Sequence, residues 1–294
     1  MKHAILGAGA IGGLVGTALA SLGEDVSVIV RPESLAGYPS TLTLERPQGP
    51  LSAPAKATAA LTEPVDVLWI ATKTYQLETA LQGVRALPTC VVPLLNGVDH
   101  AVVLRARFGQ ERVVPGTIAV EGERTAPGRF LQRSPVVRLN LAASGEPLLG
   151  GIAGRLGGIG FSCQFLANEQ TLLWSKLCFL APFALATSAS GMNKGEILAS
   201  AEWKSKLNSA MAEACAVANA SGAEVDPAKL RAILESMPDG MRSSMQKDLA
   251  AGRPLELDAI AGPIVRGGER KGIAVSTTHA LMAAIQSRMA AHRS

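Results

Sequence analysis

Three glycines near the start of the chain constrain its fold more than any other feature of the 294 residues. Gly7, Gly9 and Gly12 fit the pattern G-x-G-x-x-G and stand between the apolar run Ala4–Leu6 and a segment with helical periodicity. Between a strand and a helix, such glycines allow a tight turn, the approach of a pyrophosphate to the backbone and close helix packing. The free N–H groups of the helix N-terminus favour the same phosphates. The alternative is a set of glycines that serves packing alone. The expected cofactor contacts are Gly7, Ala8, Gly9, Ala10, Ile11 and Gly12.

The first half of the chain alternates strand and helix patterns. A second apolar run, Val26–Val30, follows the first helix, so strand, turn, helix and strand fill the length of one βαβ unit. Further apolar runs, separated by helical or turn-rich segments, are Val65–Ala71, Cys90–Leu95 and Arg112–Gly116. This alternation predicts an α/β fold with a doubly wound parallel sheet. Two short runs within Arg129–Leu141 predict an antiparallel hairpin at the sheet edge.

Helical patterns dominate beyond Asn168. They cover Gln170–Ala186, Glu196–Ala220, Pro227–Met237, Leu255–Arg270 and Thr277–Met289. We therefore expect two domains, residues 1–167 for the nucleotide and an all-helical domain of residues 168–294 for the substrate. The Ala- and Leu-rich composition of the second domain suits a homodimer interface, and it suits an ordinary core equally well.

Composition and charge argue against several other classes of function. The formal charge of +4 comes from 28 basic and 24 acidic residues spread along the chain, which does not indicate nucleic-acid binding. The four cysteines lie far apart, so no disulfide framework is expected. No metal site is expected either, because metal-ligand spacing is missing among His3, His100, His279 and His292. No uninterrupted apolar stretch approaches the roughly 18 residues that span a bilayer. No signal peptide is evident, and a cytoplasmic protein is expected.

Arg31 bears on the choice of cofactor. It ends the second predicted strand, where sites that prefer NAD usually carry an acid for the ribose 2′-hydroxyl. No acid occurs between Val26 and Pro32, and an arginine can pair with a 2′-phosphate through two hydrogen bonds. The pattern favours NADPH and NADP over NADH and NAD. A solvated arginine in a loop would give the same sequence pattern.

Several motifs together resemble the ketopantoate reductase (2-dehydropantoate 2-reductase) family over nearly the whole chain. They are GAGAIGG at Gly7–Gly13, Arg31, A-T-K-T with Lys73, L-N-G-V with Asn96, W-S-K-L with Lys176, and S-S-M-Q-K-D-L followed by R-P-L-E-L-D between Ser243 and Asp258. The resemblance implies a Rossmann domain, a helical domain like that of 6-phosphogluconate dehydrogenase, and a cleft between them. It also implies NADPH-dependent reduction of 2-dehydropantoate to pantoate, a step toward pantothenate and coenzyme A.

The resemblance also implies roles for individual residues. Lys176 would protonate the keto oxygen, Glu256 would hold the substrate or the lysine, and Ser244 would contact the substrate carboxylate. Asn96 and Lys73 would lie between the nicotinamide ribose and the substrate. The chemistry is reasonable, because reducing a ketone develops negative charge on its oxygen, which a nearby proton-donating cation stabilises.

Each of these residues also has an ordinary structural explanation. Lys176 lies in a strongly apolar helix and could extend its stem to the surface. Glu256 could be a first-turn acid favoured by the helix dipole, and Ser244 a cap. Lys73 could be a solvated loop lysine, and Asn96 with the glycine after it could be a common turn pair.

Two positions that follow Lys176 depart from the family pattern. Leu180 and Ala184 stand one and two helical turns after Lys176, where members of the family usually carry asparagines. An apolar wall discriminates poorly for a substrate hydroxyl. A reductase of another branched 2-oxo acid is therefore the alternative. A non-catalytic NADP(H)-binding sensor is an alternative of a different class, and its signature would be the loss of Lys176 or Glu256.

Overall fold

The computed structural model describes residues 1–291, so His292 lies outside the described part of the chain. The chain forms two compact units, which we call the α/β unit and the helical unit. The α/β unit comprises Met1–Leu95 and His100–Asn168. The helical unit comprises Asn96–Asp99 and the residues from Glu169 onward. The expected assignment of nucleotide to residues 1–167 and substrate to residues 168–294 stays a prediction.

The α/β unit contains short strands and helices. Its strands are β1 (Lys2–Leu6), β2 (Asp25–Ile29), β3 (Thr41–Glu45), β4 (Leu51–Pro54), β5 (Lys56–Thr58), β6 (Val67–Ile70), β7 (Cys90–Pro93), β8 (Gly116–Ala119), β9 (Gly122–Ala126), β10 (Arg129–Gln132), β11 (Val137–Ala142) and β12 (Phe161–Leu166). Its α-helices are α1 (Ala10–Ser21), α2 (Pro32–Leu35), α3 (Leu77–Leu81), α4 (His100–Phe108) and α5 (Glu146–Gly157). Short 3₁₀ helices cover Thr74–Gln76 and Ala143–Gly145.

A parallel sheet organises the α/β unit and confirms the predicted Rossmann-type fold. Its strand order is β5-β2-β1-β6-β7, and every neighbouring pair is parallel. The chain leaves β1 toward β2 on one side and later places β6 on the other side, so the winding reverses at β1. In open α/β sheets, ligands bind at the carboxyl ends of the strands beside such a reversal. The turn after β1, Arg31 after β2 and Lys73 after β6 all follow these ends.

Two further sheets complete the α/β unit, and no local pattern in the sequence predicted either of them. One has the order β4-β3-β10-β9 and the other β12-β11-β8. The predicted hairpin in Arg129–Leu141 is wrong, because β10 pairs with β3 and β9 whereas β11 pairs with β8 and β12. Strand character was correctly predicted there, but β10 forms its antiparallel pair with the preceding strand β9, and β11 joins a different sheet. Within Arg112–Gly116, only Val113 bridges to the parallel sheet, at Val91.

The helical unit consists of α6 (Glu169–Ser190), α7 (Lys194–Ala199), α8 (Ala201–Ala220), α9 (Pro227–Ser236), α10 (Ser244–Ala250), α11 (Leu257–Lys271) and α12 (Ser276–Ala291). The pattern in Glu196–Ala220 predicts one helix, but the chain breaks at Ser200. The extended backbone of Ser200 and its Oγ, which accepts from the Trp203 N–H, start a new helix there. Within the described residues, α6 is the one helix with the length and apolar composition to cross a membrane. Of its apolar window, 72% is buried inside the protein, as in a core helix.

Candidate active site

The glycine turn has the shape that a dinucleotide pyrophosphate requires. Gly7 has φ +106°, and a Cβ on it would lie 2.7 Å from the backbone of Thr72. Gly12 packs so closely on the turn that a Cβ there would lie 2.0 Å from the carbonyl oxygen of Gly7. By contrast, a Cβ on Gly9 would meet nothing within 4 Å, so its backbone is open to a ligand. Because α1 begins without a side-chain cap or a first-turn acid, its N–H groups fit an anionic cofactor.

Three cationic side chains lie in the α/β unit near the same strand ends. Arg31 is exposed and precedes α2 in an extended conformation. Lys73 is partly buried and precedes the 3₁₀ helix after β6. Arg124 in β9 is not predicted from the sequence, and its Nη1 lies 3.4 Å from the carbonyl oxygen of Ala8 in the glycine turn. Nothing in its local sequence, G-E-R-T, signals this, because the approach depends on the pairing of β9 within an unpredicted sheet.

Lys176 lies in the first half of α6, among the buried Leu172, Leu173 and Leu177. The residue as a whole is partly buried. Burial lowers the pKa of its ammonium group from 10.5 to about 8, although the charge of Glu256 acts in the opposite direction. A lysine with this pKa can both carry a positive charge at neutral pH and release a proton readily.

Glu256 stands immediately before α11 and is 6% exposed. Its carboxylate makes no capping hydrogen bond with the helix, which argues against the interpretation as a simple first-turn acid. Its Oε2 instead accepts a hydrogen bond from Nδ2 of Asn96 at 3.1 Å. Asn96 follows β7 in the sequence but belongs to the helical unit. The structure thus brings Asn96 together with Glu256, and Glu256 acts electrostatically on Lys176.

Two consecutive serines precede and begin α10, and they differ in environment. Ser243 is buried, and its Oγ accepts from the Gln246 N–H at 3.1 Å and shares a 2.7 Å hydrogen bond with Oγ1 of Thr187 in α6. Ser244 is the first residue of the helix and is exposed. Ser243 therefore serves as the cap that attaches α10 to α6, and Ser244 is left accessible for a ligand.

The two departures from the family pattern are not equivalent in the structure. Leu180 is partly buried and keeps accessible surface. Ala184 is completely buried in the main core of the helical unit. An asparagine at Ala184 would bury an amide, which is unfavourable without hydrogen-bond partners. Of these two residues, only Leu180 has surface that a ligand could contact.

The described residues contain no group of three or more His, Cys, Asp or Glu side chains that could hold a metal ion.

Comparison with known proteins places these features in a family. The model described as Ketopantoate reductase PanE/ApbA matches residues 3–144, and its C-terminal model matches residues 168–289. The chain belongs to the ketopantoate reductase family. A 2-dehydropantoate 2-reductase of Caulobacter vibrioides is 32% identical over 297 residues, covering 97% of this chain and 98% of that relative.

Solved structures agree with this assignment. A ketopantoate reductase of the PanE/ApbA family from Ralstonia eutropha has a TM-score of 0.87 at 26% identity and covers 100% of both chains. D-mandelate dehydrogenase in complex with NADH and anilino(oxo)acetate shares the fold, with a TM-score of 0.86 at 23% identity over 100% of both chains. A dimeric ketopantoate reductase from Staphylococcus aureus shares it too, with a TM-score of 0.80 at 20% identity over 99% of both chains.

Membership in the ketopantoate reductase family makes this chain an oxidoreductase with a nicotinamide cofactor. The glycine turn and the open N-terminus of α1 fit that cofactor.

Proposed function

We propose that this protein reduces 2-dehydropantoate to pantoate with NADPH and so contributes to pantothenate and coenzyme A synthesis. The observation that carries the proposal is the group formed by Lys176, Glu256 and Asn96 in the helical unit. A lysine with a pKa of about 8 is electrostatically coupled to a buried carboxylate, and that carboxylate is hydrogen-bonded to an amide. The presence of Lys176 and Glu256 also argues against a non-catalytic sensor.

In this proposal, each residue of the group has a defined task. The bound nicotinamide supplies the hydride. Lys176 stabilises the negative charge that develops on the keto oxygen and donates a proton to it. Glu256 orients the Lys176 ammonium group and compensates its charge on burial. Asn96 keeps Glu256 oriented and can present its amide to the substrate, while the exposed hydroxyl of Ser244 is available for the substrate carboxylate.

The cofactor proposal rests on cations of the α/β unit. Arg31 would pair with the 2′-phosphate of NADPH, and a guanidinium suits this because it offers two parallel hydrogen bonds. Arg124 lies beside the glycine turn and would contact the pyrophosphate, which NADPH and NADH share. Lys73 would contact the nicotinamide ribose. A homodimer and a cytoplasmic location remain proposals from the family.

Leu180 favours a second candidate function, the reduction of a branched 2-oxo acid that lacks the hydroxyl of 2-dehydropantoate. A leucine offers no hydrogen bond to that hydroxyl, and its accessible apolar surface favours a hydrocarbon group. The fold that the chain shares with D-mandelate dehydrogenase makes an aromatic 2-oxo acid a further compound to test.

Steady-state NADPH oxidation with a matched pair of substrates distinguishes these functions. 3,3-Dimethyl-2-oxobutanoate differs from 2-dehydropantoate only in lacking the hydroxyl group, and phenylglyoxylate serves as the aromatic acid. We expect the highest kcat/KM with 2-dehydropantoate. A preference for either hydroxyl-free acid would contradict the proposal and support the second function. Tight NADPH binding without turnover of any of the three would support the sensor.

The substitution Leu180→Asn tests whether residue 180 contacts the substrate. It is expected to raise the kcat/KM ratio of 2-dehydropantoate to its hydroxyl-free analogue by about three- to tenfold, the value of one neutral hydrogen bond. Leu180→Met is the control, because it keeps an apolar side chain of similar volume. An equal ratio in the wild type and in Leu180→Asn would show that Leu180 does not face the substrate.

The pH dependence of reduction should report the ionisation of Lys176. Its protonated form is the proton donor, so kcat/KM should be constant at neutral pH and fall as the pH rises through about 8. Because the charge of Glu256 raises the pKa of Lys176, the substitution Glu256→Gln should move this decline to lower pH. A wild-type profile that stays flat well above pH 8, up to the range of an ordinary lysine, would contradict Lys176 as the acid.

A further inference from the structure

Each of the four residues Asn96–Asp99 is attached to the rest of the helical unit. Asn96 donates a hydrogen bond to Glu256, and Val98 packs against the main helical core. Gly97 has φ +85°, and a Cβ on it would lie 2.3 Å from the carbonyl oxygen of Ala259 in α11. Only glycine therefore allows the segment to lie this close to the start of α11.

Asp99, the last residue of the segment, is held by charge. Nη2 of Arg266 lies 2.6 Å from Oδ2 of Asp99, and Nη1 lies 2.7 Å from Oδ1 of Asp258 in the first turn of α11. One guanidinium thus joins the segment to the helix that Glu256 precedes. Without it, two carboxylates would face each other and repel the segment from the helix.

Gly262 leaves the space for the two ion pairs that Arg266 makes with Asp99 and Asp258, which we call the bridge. A Cβ on Gly262 would lie 2.5 Å from Oδ1 of Asp258 and 2.6 Å from Nη1 of Arg266. Glycine in a helix interior is less stable than alanine. The helix therefore carries an unfavourable residue at the position where any side chain would push the bridge away.

The two ion pairs of Arg266 contribute little to the stability of the fold. Arg266, Asp99 and Asp258 have side chains that are 41%, 51% and 81% exposed, and exposed ion pairs add little to the free energy of unfolding. We propose that Arg266 is a positioning residue which, through Asp99 and Asp258, keeps Asn96 at hydrogen-bonding distance from Glu256. This inference rests on the proposed function, in which Asn96 contacts the substrate and Glu256 orients Lys176.

A structural readout tests the inference without any turnover. The ¹H–¹⁵N signal of the Asn96 side-chain amide is identified by its loss in Asn96→Ala. Arg266→Gln is expected to shift or broaden this signal. Arg270→Gln is the matched control and should leave it unchanged, because Arg270 is exposed in the last turn of the same helix. An unchanged signal in a folded Arg266→Gln protein would overturn the proposal.

Gly262→Ala provides a second variant in case Arg266→Gln folds poorly. It keeps every charge, obstructs the bridge with one methyl group, and replaces glycine with a better helix former. It should shift the Asn96 amide signal without lowering Tm. If the Asn96 amide signal does not shift in a folded Gly262→Ala protein, the proposed role of Arg266 is wrong.

A double-mutant cycle of kcat/KM tests whether Arg266 acts through Asn96. With whichever 2-oxo acid the enzyme reduces, Arg266→Gln should lower kcat/KM by about tenfold, which is within the range for coupled residues. In the Asn96→Ala background, the same substitution should lower kcat/KM by no more than about twofold. Equal losses in both backgrounds would overturn the proposal. A wild type that reduces none of the acids would contradict the proposed function instead, and the amide signal would still decide the role of Arg266.

Discussion

Replacing Lys176 with alanine is expected to lower the rate of reduction by roughly 10²–10⁴, the contribution of a positioned proton donor. The affinity for NADPH should change little, because Lys176 lies in the helical unit and the residues that fit the pyrophosphate lie in the α/β unit. Single-turnover and steady-state rates measure the first effect, and fluorescence titration with NADPH measures the second. An unchanged rate would remove Lys176 from the mechanism.

Two further variants separate the functions of the Lys176 ammonium group. Lys176→Arg keeps the positive charge but cannot release a proton near neutral pH, so it should remain almost as slow as the alanine variant. Substantial activity in Lys176→Arg would mean that charge stabilisation, and not proton donation, is the main contribution. Lys204→Ala is the matched control, because Lys204 is an exposed lysine of α8, and its rate should equal that of the wild type.

The second large effect is expected at Arg31. Arg31→Asp should lower the preference for NADPH over NADH by roughly 10- to 100-fold, because hydrogen bonds to charged groups contribute about 1.5–3 kcal/mol each. The introduced carboxylate would also repel the 2′-phosphate and could accept hydrogen bonds from a ribose 2′-hydroxyl. Dissociation constants of both cofactors, measured by fluorescence titration, give the ratio directly.

Arg124→Gln is the matched control for Arg31, because both are exposed arginines of the α/β unit. The proposed contact of Arg124 is the pyrophosphate, which the two cofactors share. Arg124→Gln should therefore lower the affinities for NADPH and NADH by the same factor. A preserved NADPH preference in Arg31→Asp would show that Arg31 does not contact the 2′-phosphate. A changed preference in Arg124→Gln would place Arg124 near the 2′-phosphate instead.

Local patterns predicted the parts of the fold that local sequence determines. The turn from Gly7 to Gly12, the βαβ unit and the helical second half are as expected, because periodicity and glycine placement act over a few residues. The two additional sheets were missed because the pairings that assemble them are long-range, although β3–β4 and β9–β10 are local antiparallel pairs. β3 pairs in parallel with β10. Without knowledge of that partner, the sequences of such short strands cannot be distinguished from those of loops.

The candidate site was predictable by residue but not by arrangement. Motifs identified Lys176, Glu256 and Asn96, yet no local pattern encodes that Asn96 belongs to the helical unit and donates a hydrogen bond to Glu256 there. Helix geometry explains why the positions after Lys176 differ. At about 100° per residue, Leu180 lies roughly 40° around the helix from Lys176 and Ala184 roughly 80°, enough to turn Ala184 into the core.

The membership of Asn96–Asp99 in the helical unit limits how this enzyme can be recombined with its relatives. A contiguous exchange at Asn168 would transfer α6 to α12 but leave the segment of the original chain in place. Asp99 would then face a foreign partner in place of Arg266, and Gly97 would lie against a different α11. A chimera that preserves the group around Glu256 therefore has to exchange two stretches of sequence together, and the shorter one has only four residues.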